Sequence, residues 1–484
     1  MTNRREFLAG LSAGAATLAM PGIGRAFENR QLLEMPALLD ATDTGNFDLV
    51  AMAGKTNFLG GAETNTWGYN QPYLGPTLRV RNKGETQASV RNDLPEEISV
   101  HWHGLVIPGD VDGGPHQPVA PGTTWAPLLP IDQDPATLWY HSHIHGKTAD
   151  QVYRGLAGIL QLTDGRDDER GLPSTYGEDD LTLVLQDRRF DRDGRMSYNL
   201  SMEDSMMGFA GDMMLVNGQY LPAATVPKGV VRLRLINGSN ARIYTLAIDD
   251  GRDMHLVGTD AGLLDKPISL QMITLAPGER IEVLVDFSDG RDVALVSGPE
   301  LNSGGMMGGM MGGSSGMAQG FTILPFAVDA TRKARIDKLP ENIGGSRPAI
   351  TATPVVTRNF TLDMRMGPMM MFGGKSRFSI SGEAFDMKVM NHAVKLDTVE
   401  HWIISASMLM HPFHVHGVAF QVLSENGGPV RAQNRGWKDT VLVNGQVEIL
   451  VPFNRPADKK YPFMYHCHIL EHEDGGMMGQ FTVS

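Results

Sequence analysis

The residues best suited to redox chemistry surround a single cysteine near the C-terminus. Cys467 is the one cysteine among 484 residues, and His466 and His468 flank it directly. His472 follows the cysteine by five residues, and Met477 follows His472 by five. Soft sulfur favours Cu(I) while imidazole accepts both oxidation states, so this set suits a copper ion that cycles between them. One further histidine would complete a site of two histidines, one cysteine and a weak axial methionine.

The two histidines beside the cysteine are expected to serve a different site. If residues 466–468 form a β-strand, successive side chains point to opposite faces, so Cys467 would bind one metal and its neighbours another. An electron would then cross only a few covalent bonds between the sites. The alternative is that Cys467 is a buried, inert side chain, as free cysteines commonly are. The spacing of Met477 and three further histidine clusters argue against it.

Those clusters form an internal repeat that predicts which parts of the chain meet. His-Trp-His-Gly at 101–104 precedes His-Ser-His at 141–143, and His-Val-His-Gly at 414–417 precedes His-Cys-His at 466–468. On a strand, each His-X-His pair presents two imidazoles on one face. The simplest arrangement places the first and third parts of the chain face to face around a shared cluster of eight imidazoles. The middle part contains only His255 and is expected to be a spacer.

The elements that hold these clusters are predicted to be β-strands. Runs of alternating apolar and polar residues begin at Leu181, Val231 and Ile281 and have Gly, Asn or Asp at their ends. The 56 glycines and 28 prolines indicate many turns and few long helices. Charged, turn-rich stretches at about 163–180 and 329–354 predict junctions between three pieces of similar size. This pattern is typical of β-sandwich domains.

Charge and composition restrict the class of partner. A formal net charge of -13 argues against nucleic acid and against an anionic membrane surface. A single cysteine excludes an intrachain disulfide. Beyond the N-terminus no apolar run approaches the ~20 residues needed to span a bilayer, so membrane insertion is not expected.

The N-terminus resembles a twin-arginine export signal. Arg4 and Arg5 precede an apolar, Ala- and Gly-rich run that begins at Ala9, and cleavage is expected after Ala26. Glycines and a proline interrupt this run, which argues against a buried N-terminal helix. Residues 1–26 are therefore expected to be a signal peptide, and the mature protein is expected in the periplasm.

The four histidine clusters, in this order and spacing, resemble those of the multicopper oxidases, and most closely the bacterial copper-efflux (cuprous) oxidases. Val111-Asp-Gly-Gly-Pro and Gly436-Trp-Lys-Asp-Thr-Val also look like that subfamily. The resemblance implies an all-β chain of three consecutive cupredoxin-like Greek-key β-sandwich domains, which we expect at residues 27–165, 166–330 and 331–484.

The resemblance also implies four copper ions and their ligands. A type 1 copper is expected at His411, Cys467, His472 and Met477, and a type 2 copper at His101 and His416. The type 3 pair is expected at His103, His141, His143, His414, His466 and His468.

Such a set can remove electrons singly from a reductant and reduce O2 fully to water. The reduction consumes protons, so carboxylates are expected nearby. Asp112 and Glu473 lie where the family keeps such acids, although Asp112 is equally well explained as a turn former before two glycines.

Methionines make Cu(I) the expected reductant, in a role in copper tolerance. The efflux oxidases bind their substrate Cu(I) with acidic residues, and the matching positions here look like Ser407 and a methionine. An all-thioether site is therefore predicted instead. The alternative is a laccase that oxidises phenols or aryl amines. A non-catalytic scaffold or a copper store is a more remote alternative, and a monomer is expected. The candidate Cu(I) ligands are Met364, Met366, Met369, Met408 and Met410.

Overall fold

The computed structural model describes residues 30–299, 301, 320–345, 347–364 and 378–484. Strands dominate these residues, and the expected all-β fold of cupredoxin-like domains is confirmed. The expected signal peptide at 1–26 lies outside the described residues. None of the described helices has the length and apolar character needed to cross a membrane. The helices are α1 (Thr148–Arg154), α2 (Met202–Met207) and α3 (Leu470–Asp474).

Two sheets make up the first part of the fold. Their strands are β1 (Leu38–Asp40), β2 (Asn46–Thr56), β3 (Thr64–Tyr69), β4 (Thr77–Arg81), β5 (Lys83–Asn92), β6 (Thr124–Trp125), β7 (Leu128–Asp132), β8 (Ala136–His141) and β9 (Ala157–Thr163). One sheet has the order β1-β4-β9-β8 and the other β3-β2-β5-β6, with β7 also paired to β5. Trp102 and Tyr140 are fully buried in the core between them.

The middle part also consists of two sheets. Its strands are β10 (Asp180–Arg188), β11 (Met213–Val216), β12 (Gln219–Tyr220), β13 (Ala224–Lys228), β14 (Val230–Asn237), β15 (Tyr244–Ile248), β16 (Met254–Thr259), β17 (Gly262–Leu270), β18 (Ile273–Leu275), β19 (Arg280–Asp286), β20 (Val293–Ser297) and β21 (Phe321–Lys333). The larger sheet has the order β12-β11-β10-β14-β19-β16-β17, and the smaller has β13-β21-β20-β15-β18. Its central strands β10, β14 and β19 contain the three alternating runs found in the sequence.

The third part is one continuous nine-stranded sheet. Its strands are β22 (Val356–Met364), β23 (Phe378–Ile380), β24 (His392–Val394), β25 (Thr398–Val415), β26 (Phe420–Glu425), β27 (Trp437–Lys438), β28 (Thr440–Phe453), β29 (Phe463–Cys467) and β30 (Met478–Val483). The order is β24-β30-β29-β25-β28-β26-β27, with β22 on β25 and β23 on β22. At each of the two predicted junction segments, the sheets of one part end and those of the next begin. The exact domain bounds stay predictions.

A bulge in β25 and the end of β29 set the positions of the metal-ligating residues of this part. Ala406 pairs with Gly445 of β28 and His411 pairs with Val443, so the residues between them bulge out of the ladder. Beyond the bulge, Phe413 lies opposite Cys467 and His414 lies opposite His466. The pairing brings the histidines of β25 beside those of β29.

Candidate metal centre

Eight imidazoles from the first and third parts of the fold meet at one buried interface. The backbones of His101 and His141 are bridged by a pair of hydrogen bonds, with N–O distances of 2.9 and 3.2 Å, which joins the two first-domain clusters. Across the interface, the Nε2 atom of His143 lies 3.2 Å from Nε2 of His466. None of the eight rings is more than 1% exposed: His101, His103, His141, His143, His414, His416, His466 and His468.

Hydrogen bonds to the outer nitrogen turn the inner nitrogen of several rings towards the cluster. The Nδ1 atom of His101 donates to the Asp112 carbonyl at 3.1 Å, and Nδ1 of His414 donates to the Asp439 carbonyl at 2.9 Å. His416 Nδ1 donates to Asp112 Oδ2 at 2.8 Å. Each bond fixes the tautomer and leaves a lone pair on Nε2, as in metal-bound histidines, whose other ring nitrogen donates to a carboxylate or a backbone carbonyl.

The ligand atoms of the eight rings form overlapping groups of three. One group of three ligand atoms comes from His103, His141 and His468, and another from His143, His416 and His466. His101 shares a further group with His103 and His414 and another with Asp112 and His416, and its Nε2 atom lies 3.4 Å from Nε2 of His414.

The sequence-based expectation paired His416, and not His414, with His101. Although the His101 and His416 rings stack at 3.7 Å between centroids, the free nitrogen of His416 faces His466, at 3.2 Å between the two Nε2 atoms.

The second group of donors surrounds Cys467. Its Sγ atom lies 3.4 Å from His411 Nδ1 and 3.7 Å from His472 Nδ1, and the two histidine nitrogens are 3.3 Å apart. All three side chains are fully buried. Met477 is also buried and packs in the same core as Cys467, and its carbonyl accepts a bond from the Cys467 amide at 3.1 Å.

The imidazole of His472 has two further contacts that connect it to the surface. Its Nε2 atom donates to the carbonyl of Met206 in α2 at 3.0 Å, and Phe378 stacks on the ring at 4.4 Å between centroids. Helix α2 belongs to the middle part of the chain and its Met202 is 74% exposed. The sequence contained no indication of this contact, because α2 and His472 are far apart along the chain.

Cys467 connects the two groups of donors through its neighbours. His466 lies in β29 with Cys467, and His468 follows the last residue of that strand. Both histidines point into the eight-ring cluster, whereas the thiol points to His411 and His472. Cys467 therefore points in the opposite direction from His466 and His468, as strand alternation predicts, although the strand ends before His468.

Burial keeps the histidines neutral, as metal ligands must be, and keeps the cysteine protonated until a metal binds. It lowers the pKa of His411 to about 4, and it also lowers the pKa of His414 to about 4. Burial raises the pKa of the Cys467 thiol, so a bound metal ion must displace its proton to form a thiolate. Neither ring nitrogen of buried His468 has a hydrogen-bond partner. Neutral imidazoles with unshared lone pairs, a thiol and a thioether fit copper.

Both predicted carboxylates lie against the cluster, in different settings. Asp112 follows a 3-10 turn (Gly109–Val111), and its Oδ2 atom lies 3.4 Å from His101 Nδ1 in addition to its bond with His416. Glu473 in α3 lies with Oε2 3.1 Å from His466 Nδ1 and Oε1 3.5 Å from His143 Nδ1. Burial alone would raise the pKa of Glu473, but the two histidines hold it down at about 2.

The predicted substrate methionines are only partly described. Met408 and Met410 lie in the β25 bulge directly before His411, and Met408 is 48% exposed. Met410 packs beside Leu442, and Met364 at the end of β22 packs against the third-domain core. Met366 and Met369 lie outside the described residues. Met408 is thus a half-exposed side chain three residues before His411.

Two charged residues near the cluster were missed by the sequence analysis. Asp439 lies with Oδ1 3.1 Å from His103 Nε2, and Arg280 binds both oxygens of that carboxylate. Asp439 belongs to the Gly436-Trp-Lys-Asp-Thr-Val segment, which was noted only for its resemblance. Arg280 belongs to the middle domain and Asp439 to the third, so this contact gives the middle domain a role beyond that of the spacer expected from the sequence.

The stability of the metal-free fold should depend steeply on pH. The pKa of His411 and of His414 is about 4 in the folded protein, whereas an unfolded chain protonates its histidines near 6.5. Since the unfolded chain binds more protons below that pH, the free energy of unfolding should fall as the pH falls from about 6.5 towards 4, by on the order of 3 kcal/mol for each of these histidines.

Urea unfolding of the metal-free protein, followed by tryptophan fluorescence between pH 7 and about 5, measures this dependence. The metal-free His411→Gln variant is the control, because it has one such histidine fewer and its stability should change less with pH. Equal stability of the metal-free protein at both ends of the range would contradict the prediction.

Known proteins are similar to this chain along nearly its whole length. Family profiles described as multicopper oxidase match residues 51–167, 174–298 and 355–484. A curated relative, the cell division protein FtsP of Yersinia pestis, is 36% identical, with the alignment covering 99% of this chain and 98% of the relative. FtsP of Escherichia coli K12 is 35% identical over 100% of this chain and 99% of its own.

Solved structures give the same result. A laccase-like multicopper oxidase, CueO from the lignin-degrading bacterium Ochrobactrum sp., is 40% identical with a TM-score of 0.85, covering 93% of this chain and 100% of its own. A multicopper oxidase from Campylobacter jejuni, described as a metallo-oxidase, is 27% identical with a TM-score of 0.81, covering 95% of this chain and 96% of its own. With three matching profiles and these relatives, the chain belongs to the multicopper oxidase family.

Proposed function

We propose that this protein is an oxidase that takes single electrons from a reductant at the His411–Cys467–His472 site and uses them at the eight-histidine cluster to reduce O2 to water. One observation carries the proposal: Cys467 belongs to the first site, while His466 and His468 belong to the second. Bound copper would supply the change of oxidation state. The chain supplies neutral ligands, exclusion of water and the covalent link.

We further propose four copper ions with one change from the sequence-based assignment. The type 1 ligands are His411, Cys467 and His472, with Met477 axial. The spacing of the nitrogens supports His101 and His414 for type 2. It supports the two groups of three for the type 3 pair, namely His103, His141 and His468, and His143, His416 and His466.

Glu473 is the residue that we propose delivers protons. Reduction of O2 to water consumes four protons, and the carboxylate oxygens of Glu473 lie 3.1 and 3.5 Å from ring nitrogens of His466 and His143. With its pKa held at about 2, Glu473 is ionised at neutral pH and would take up a proton and pass it on rather than keep it. Asp112, by contrast, is engaged with His416 and is assigned to orienting it.

Cu(I) is the reductant that we favour, with a role in copper tolerance. Met408 offers an exposed thioether close in sequence to His411, and the neighbouring Met410 is partly buried. Soft sulfur donors suit Cu(I). Export to the periplasm by the twin-arginine route, as a monomer, completes this proposal.

Two other functions have an observation in their favour. The Ochrobactrum relative has oxidase activity towards lignin model compounds, which favours a laccase acting on phenols. The FtsP relatives are named for cell division, which favours a structural role there. The buried donor set of this chain supports catalysis ahead of a purely structural role, because a scaffold has no use for neutral imidazoles with free lone pairs.

Cys467→Ser should separate the two sites. Serine gives no soft thiolate, so the blue absorption and all oxidase turnover are expected to disappear while the cluster keeps its copper. O2 uptake with Cu(I) or a phenol, copper content and visible absorption of the loaded protein measure these outcomes. Loss of colour with most turnover retained would rule out the covalent route through Cys467.

Glu473→Gln should slow the reduction of O2 without changing the first electron transfer. A neutral amide cannot carry a proton between the surface and the cluster, and general acid catalysis typically contributes ~10²–10⁴-fold. Stopped-flow absorption measures anaerobic reduction of the type 1 site and its reoxidation by O2 separately. If the two steps slow equally, Glu473 acts on the type 1 site instead.

Replacing Met408 and Met410 together with leucine should distinguish Cu(I) from phenols as reductant. Leucine fills a similar volume without sulfur, so kcat/KM for Cu(I) should fall by about tenfold, the equivalent of ~1.4 kcal/mol. Turnover of a phenol should be unchanged or rise. Met52→Leu in β2 of the first domain is the matched control. Unchanged Cu(I) kinetics in the double variant would favour the laccase alternative.

A further inference from the structure

The middle domain reaches the histidine cluster through one buried arginine. We propose that Arg280 and Asp439 form a positioning pair that sets the orientation of His103 and His414 and thereby the affinity of the cluster for copper. The inference rests on the function proposed above and assigns the middle domain a part in it.

Every nitrogen of the Arg280 guanidinium is engaged. Nη1 and Nη2 donate to Oδ1 and Oδ2 of Asp439 at 2.7 and 2.5 Å, and both side chains are 0% exposed. The remaining bonds reach the carbonyls of Thr137 at 3.2 Å, Gly278 at 3.0 Å and Asp260 at 2.8 Å. A planar fork held on all sides fixes the plane of the carboxylate, which a lysine ammonium cannot do.

Asp439 transmits that orientation to both sides of the cluster. Its Oδ1 atom accepts from Nε2 of His103 at 3.1 Å, and its carbonyl accepts from Nδ1 of His414 at 2.9 Å. The Thr440 hydroxyl donates to Asp439 Oδ1 at 2.8 Å. One residue thus holds an imidazole of the first domain and an imidazole of the third.

The bond to His103 has a specific consequence for that ring. Because Nε2 donates outward, the ring offers Nδ1 to the cluster, 3.4 Å from Nε2 of His141. His414 and His416 are oriented the other way, with Nδ1 outward. Without the carboxylate at 439, only the Thr440 hydroxyl, 3.2 Å from Nε2, would remain to select this tautomer of His103.

Glycine in the first histidine motif makes room for the pair. A Cβ atom on Gly104 would lie 2.6 Å from Arg280 Nη2 and 2.8 Å from Asp439 Oδ2, and its φ of +93° is one that other residues rarely adopt. Gly104, the last residue of the His-Trp-His-Gly motif, therefore leaves the space that Arg280 of the middle domain occupies.

The charges around the pair favour a bound cation. Buried Lys438 lies 3.0 Å from Asp260 and 3.2 Å from Glu279. With Asp439 and Arg280, three carboxylates face two basic groups, which leaves one formal negative charge beside the imidazoles. In a buried setting that charge attracts a metal ion more strongly than it would in water.

Asp439→Asn and Arg280→Lys test the proposal, with Arg234→Lys as matched control. Arg234 is another buried arginine of the middle domain, with Asp180 at 2.7 Å and Thr137 of the first domain at 2.9 Å, but it contacts none of the eight cluster histidines. Copper retained against a graded chelator, the near-ultraviolet type 3 absorption, the type 2 EPR signal and the blue absorption are measured for each variant.

In Asp439→Asn and Arg280→Lys the cluster should lose copper at ~10–100-fold lower chelator concentration, with altered type 2 and type 3 spectra and an intact blue absorption. Arg234→Lys should match the wild type. The double variant should be no worse than Asp439→Asn alone, because both changes break one linkage. That comparison separates positioning from a general loss of stability.

Wild-type spectra and copper retention in Asp439→Asn and Arg280→Lys would overturn the positioning role while leaving the oxidase proposal intact. An equal loss in Arg234→Lys, or parallel loss of the blue absorption, would also overturn it, because a general structural defect would then explain the result. A wild-type protein that binds no copper would overturn both proposals.

Discussion

Hydrogen bonds from the outer ring nitrogens are the constraint on which this structure depends. Eight imidazoles removed from water cannot all carry a charge, and neutral rings must each place a proton on one nitrogen and a lone pair on the other. Where that proton goes is decided by acceptors such as the Asp112 carboxylate and the Asp439 carbonyl. The sheets and the domain interfaces serve to bring those acceptors and the rings to the same place.

Much of this arrangement could be predicted from local sequence. Alternation of apolar residues in β10, β14 and β19 is a property of each strand alone and predicted sheets correctly. The repeated His-X-His pairs predicted that the first and third domains meet, since four pairs with one type of donor have few other uses. The two directions taken by Cys467 and its neighbours follow from strand alternation.

The division of the cluster could not be predicted in the same way. His414 and His416 are only two residues apart in the chain. Which partners each ring faces depends on Asp112 and Asp439, and these two residues are far apart in sequence. Arg280 was hidden for a similar reason, because nothing in β19 distinguishes an arginine that pairs across a domain boundary from one that faces solvent. Long-range charge pairing decides both, and local patterns do not contain it.

The position of Asp439 also bears on how the holoprotein is assembled. Its carboxylate is held by the second domain while it orients rings of the first and third, so the two domains that supply the eight imidazoles do not supply the arginine that fixes Asp439. His466, Cys467, His468 and His472 follow every other histidine in the chain. The eight rings and the groups that orient them therefore come together only once all three domains have been synthesised and docked, and a chain halted before that stage lacks the arrangement of donors described above.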